Sequence, residues 1–115
     1  MNEYRQEPGV IIDFSGTAPT TRTDGTPFDA ATELSTYRRY FVLPDGGVES
    51  VDVDLEADGT FTAEVEASVI SQGVYTTTFT SVDNEGREGP HSEEVQFKVL
   101  GPLAPPNPPT GIAPL

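Results

Sequence analysis

Between Val48 and Val69 the chain reads VESVDVDLEADGTFTAEVEASV, and its alternation limits the possible folds more than any other feature. Val51, Val53 and Leu55 alternate with Asp52, Asp54 and Glu56; Phe61, Ala63, Val65 and Ala67 then alternate with Thr62, Glu64 and Glu66. A helix would scatter these apolar residues around its axis, whereas a strand gathers them on one face, because successive side chains point to opposite sides. Asp58-Gly59 separates the two runs. Asp-Gly favours a tight two-residue turn, so the pattern predicts a β-hairpin with one face inward and one wet.

Four more segments read as strands. GVIIDFSG (9–16) is rich in β-branched residues and puts Val10, Ile12 and Phe14 on one face. TYRRYFVL (36–43) is closed by the turn signal PDGG at 44–47. GVYTTTFTSVD begins at Gly73, and EEVQFKVL (93–100) turns Val95, Phe97 and Val99 one way. Residues 17–35 read as a long loop with a short helical turn at Asp29–Leu34. Six strands at short spacing, with almost no helical period, predict an all-β sandwich or barrel. The threonines Thr76, Thr77, Thr78 and Thr80 suit such a strand. Their branched Cβ stiffens the extended backbone without drawing on a small apolar inventory, leaving Tyr75 and Phe79 as anchors.

Composition narrows the functional classes. A chain of 115 residues with 35% hydrophobic content supports one domain with a small core. Cysteine is absent, which excludes disulfides, a thiolate nucleophile and a Cys-ligated metal. A net charge of −13 repels phosphate backbones and anionic lipid, so neither nucleic acid nor a membrane is expected as a partner. The start, MNEYRQEPGV, lacks the basic and apolar regions of a signal peptide, so synthesis in the cytoplasm without general secretory export is expected.

Chemistry is thinly represented. The single histidine, His91, lies in a loop between Pro90 and Ser92 without a partner motif. DVDLEADG superficially resembles a calcium loop, but counting from Asp54 places Val65 where a bidentate acid belongs. No catalytic residue, cofactor or metal is therefore expected, nor a small-molecule ligand.

Two separated segments carry a family resemblance. TAPTTRTDGTPFDAATELSTYRRYF resembles the opening half of bacterial fibronectin type III domains, and GVYTTTFTSVDNEGREGPHSEEV resembles their closing half. Together they span about residues 9–100. The resemblance implies an antiparallel immunoglobulin-like β-sandwich, with Tyr75 as the tyrosine-corner residue whose hydroxyl bonds backbone a few residues upstream. It places residues 1–8 as an N-terminal arm, 9–100 as the sandwich and 101–115 as a Pro-rich C-terminal arm.

The departures from the family pattern matter as much. Gly16 stands where the family carries a core tryptophan, and Arg39 stands where an inward isoleucine belongs. Arg39 is expected to lie across the space above Gly16 with its stem packed; the alternative is a one-residue bulge that turns it outward. The Pro-rich first strand of the family is missing before residue 9, while GPLAPPNPPTGIAPL (101–115) resembles a linker into a next domain. That tail could complete a sheet edge of its own or a neighbouring copy, dock elsewhere as a polyproline arm, or be a loose linker.

The expected function follows from this context. A lone fibronectin-like module made without an export signal points to a non-enzymatic structural protein of a bacteriophage virion. A capsid decoration protein on the virion surface comes first, with a neck or tail accessory role as the alternative. Its partners would be the major capsid protein, other virion proteins or sister copies, gripped through Pro105, Pro106, Pro108, Pro109, Ile112 and Leu115. The rival from another class is a carbohydrate-binding or spacer module of a secreted bacterial protein.

Overall fold

The computed structural model describes residues 1–56 and 60–115, and in it seven strands form two sheets. The larger sheet has the order β1-β7-β6-β3-β4, from β1 (Asn2–Arg5), β7 (Val95–Leu100), β6 (Gly73–Asp83), β3 (Leu34–Val42) and β4 (Val48–Val53). The smaller pairs β2 (Ile11–Gly16) with β5 (Phe61–Glu66). The protein is all-β apart from one helical turn, α1 (Ala30–Glu33), and a 3-10 turn at Ala67–Val69. Asp29 caps α1: its carboxylate accepts the Ala31 N–H at 3.1 Å, while Glu33 accepts the Asp29 N–H at 2.6 Å. This reciprocal arrangement satisfies amides that the short helix leaves unpaired.

Three expectations are corrected. The alternating runs around Asp58-Gly59 do not form a hairpin, because β4 pairs with β3 and β5 pairs with β2. Both runs contain strands, β5 amphipathic and β4 buried only at Val53, but period two speaks only to faces and leaves the pairing partner open. The Asp58-Gly59 turn itself lies outside the described residues. Second, the sheet is not wholly antiparallel: β1 runs parallel to β7, with Asn2 opposite Phe97 and Arg5 opposite Leu100. Third, the segment read as an N-terminal arm therefore supplies an edge strand. Its end is fixed by the Gln6 N–H, which donates to the Leu100 carbonyl at 3.0 Å.

The inward side chains of the two sheets share one core. Tyr75 stacks on Phe97 with ring centroids 5.0 Å apart, and Phe41 meets Phe97 edge-on at 5.6 Å. From β2, Phe14 reaches across to Phe97 at 5.7 Å and to Phe79 at 5.8 Å. Ile12 is fully buried among them. A second cluster, of Leu34, Tyr37, Val53, Phe61 and Ala63, fills the other end. Interlocked rings at these spacings are how a chain poor in apolar residues reaches adequate packing.

The space above Gly16 belongs to Phe61, not to Arg39. A Cβ on Gly16 would stand 2.4 Å from Phe61 Cε1. Arg39 lies inward between Tyr37 and Phe41, and the β3–β6 register runs unbroken from Thr36 to Val42; the irregularity falls at Leu34/Thr36. Its guanidinium sits 4.1 Å over the Phe41 ring, with Nε buried and without a hydrogen-bond partner among the described residues. Burial lowers the pKa of this guanidinium, against a smaller opposing effect from Glu49.

Candidate interaction site

The most distinctive surface element is the tail. From Pro102 to Leu115 every residue is exposed, including Pro105, Pro106, Pro108, Pro109, Ile112 and Leu115, and the molecule measures 79 × 31 × 20 Å. The tail carries six of the chain's eleven prolines and no charged residue, in a chain of net charge −13. Its root is held. Glu7 accepts the Leu103 N–H at 2.6 Å, Arg5 reaches the Gly101 carbonyl at 3.5 Å, and Gln6 donates to the Ile70 carbonyl at 2.7 Å. β1 and the residues after it therefore aim the tail away from the body.

Tyr75 donates its hydroxyl to the Ser71 carbonyl at 2.7 Å, four residues upstream. This bond pins the approach to β6 at the end of the molecule from which the tail departs. Phe79 is half-buried and packs 4.7 Å from Phe61.

Two polar networks tie the loop after β6 to β3 and β6 of the large sheet. On its outer face Glu88 accepts from Arg38 at 2.7 Å, from Thr80 at 2.7 Å and from the Tyr40 hydroxyl. These bonds, Tyr40 first, hold the Glu88 carboxyl below the usual carboxylate range. Arg38 also pairs with Asp52 at 3.0 Å. His91 bonds Thr78 at 2.7 Å and lays its ring 4.5 Å from Tyr40. At one end of the sheet, buried Asp83 accepts from Arg87 at 2.8 Å, from Arg22 at 3.0 Å and from the N–H groups of Glu85 and Arg87. The Arg87 bond is the largest of the effects that hold its carboxyl well below the usual range. Both networks fasten the loop after β6 back onto the sheet.

Sequence reasoning missed both hubs. Asp83 had a local signal, since Asp at the head of a D-N-E-G turn commonly accepts backbone amides two residues on. Glu88 had none, because its partners come from β3 and β6. Of the carboxylates in DVDLEADG, Asp52 pairs with Arg38 and Glu56 accepts from the Thr62 hydroxyl at 3.2 Å, while Asp58 lies outside the described residues.

A groove of about 570 Å³ opens beside β2, between Asp13–Thr17 on one side and Ser92, Glu93 and Val95 on the other. Its floor is aromatic, formed by Phe14, Tyr37, Phe61 and Phe79. A second opening, of about 590 Å³, lies over the Arg22–Asp83–Arg87 network, whose charges are already paired. No family model, curated protein or solved structure matches the chain.

Proposed function

We propose that this chain is a non-enzymatic structural module, a fibronectin type III-like sandwich that attaches to a larger assembly through residues 101–115. The observation that carries the reading is the tail: an exposed, proline-stiffened, uncharged segment rooted firmly on an acidic body. Solvated segments of acidic proteins gain nothing from Leu103, Ile112 and Leu115 in water, whereas docking buries them. Prolines also reduce the entropy lost when such a segment is fixed on a partner.

The sandwich assignment rests on the two sequence segments together with the two packed sheets and the Tyr75–Ser71 bond. By analogy with the immunoglobulin-like and fibronectin-like modules of phage surfaces, the assembly in this reading is a bacteriophage virion and the role capsid decoration; a neck or tail position would use the same anchor. The carbohydrate-binding alternative has one observation in its favour, the Tyr40–His91 ring pair on the outer face. Against it, the Tyr40 hydroxyl is already committed to Glu88.

The test is occupancy. Full-length chain and a variant lacking residues 102–115, both shown folded by circular dichroism, are added to particles depleted of the protein and pelleted. The full chain is expected to pellet with the particles and the truncated one to stay in the supernatant. Equal occupancy by both would refute anchoring through the tail.

A further inference from the structure

The smaller sheet lacks a strand. Among the described residues, backbone pairing joins β2 only to β5, so the other edge of Ile11–Gly16 offers its N–H and C=O groups to no strand. The edge facing it is also open, because β1 covers β7 from Phe97 onward and leaves Val95 and Gln96 without a partner on that side. The aromatic groove lies between these two edges. Val95 at its rim is 51% exposed. An open strand edge beside an apolar floor is the geometry that accepts an added strand: main-chain bonds supply the pairing and alternate side chains fill the groove.

We propose that this groove receives the tail of a neighbouring copy, with residues 110–113 added as a strand along β2. Three observations select that occupant. Thr110-Gly111-Ile112-Ala113 is the one run of the tail past its double prolines that offers four consecutive backbone N–H donors, and Ile112 is the bulky apolar residue within it. The tail is neutral, so it can enter between Asp13 and Glu93 without adding to the repulsion around an acidic body. Direction favours a neighbour over the chain's own groove: every residue from Pro102 to Leu115 is exposed and the molecule is 79 Å long against 31 × 20 Å across, so the tail already points away from its own body. Pro102, Pro105 and Pro106 resist the reversal that docking on the same body requires. The flanking prolines would also leave the new edge unable to recruit a further strand.

The contact is heterologous, tail to groove, so copies join head to tail and either close into a ring or continue as a row. This inference rests on the reading of the tail as the docking element, and it names one partner for it.

Because the chain has no cysteine, single thiols report the contact cleanly. Full-length Ile112→Cys is mixed with full-length Val95→Cys under mild oxidation, and in parallel with Val48→Cys, which is exposed on the far edge strand β4. With chains at ~10 μM and docked thiols at millimolar effective concentration, the Val95 pairing is expected to cross-link on the order of 100-fold faster than the control. Raising salt from about 20 to about 500 mM should accelerate it further, since two copies of charge −13 must approach. In dilution series of the unmodified chain, amide shifts should move at Asp13–Thr17 and Ser92–Val95. Equal cross-linking rates in the two mixtures, or shifts confined to other residues, overturn the groove assignment. Particle pelleting separates the two proposals: loss of particle binding on truncation with equal cross-linking rates would leave the anchor and remove the groove.

Discussion

Replacing Gly16 with alanine tests how tightly the junction between the sheets is packed. The added Cβ would stand 2.4 Å from Phe61 Cε1 and 2.7 Å from Cζ, distances no real contact sustains, so the ring must move. It has little room. Phe61 is 5% exposed, with Tyr37 at 4.6 Å and Phe79 at 4.7 Å between ring centroids. Forcing a methyl group into such a core costs about 1–3 kcal/mol. Against this, alanine restricts the unfolded chain and returns about 0.4–1 kcal/mol, since the backbone at Gly16 is not in a glycine-only region. The net expectation is a loss of about 0–2.6 kcal/mol, centred near 1.3, read as a lower urea midpoint with an unchanged slope. Phe61→Leu alone should also destabilise, yet combined with Gly16→Ala the costs should fall short of additive by at least ~0.5 kcal/mol, because the smaller side chain yields the space. If Gly16→Ala stabilises the protein, or if the two changes simply add, Phe61 does not occupy the position assigned to it.

Other perturbations separate the remaining contributions. Thr77 is fully buried, its hydroxyl without a partner among the described residues, so the isosteric Thr77→Val should stabilise by about 1 kcal/mol in thermal melts, and a loss of stability would show that the hydroxyl has a partner. Tyr75→Phe removes the bond to the Ser71 carbonyl and should cost about 1–2 kcal/mol in urea titration, with no cost counting against a structural role for that bond. Asp83 has a depressed folded-state pKa, so its contribution is present above the unfolded value near 4 and is lost as pH falls toward the folded one. The stability difference between the parent and Asp83→Asn should therefore be constant from about pH 7 to 5 and shrink below about pH 4; a difference that does not change with pH would contradict it.

The residues themselves determined a good deal. Alternation at Phe61–Val65 marked a strand with its buried face, alternation at Val51–Val53 marked a strand of which only Val53 is buried, PDGG closed β3, and a short helical turn was legible at Asp29–Leu34, where α1 lies. These features are local: period two and capping are set by side chains within a few residues of one another. Tertiary structure decided what those strands pair with. Nothing in MNEYRQEP shows that Asn2–Arg5 runs parallel to β7, because the partner lies some 95 positions away and few of its apolar residues alternate. The runs flanking Asp58-Gly59 likewise enter different sheets, β4 pairing with β3 and β5 with β2, because strand edges carry no side-chain code that names the partner. The same holds for the candidate site. The tail could be read directly from its prolines and missing charge, whereas the groove beside β2 is made from five strands and the loop before β7, and it exists only once they are folded together.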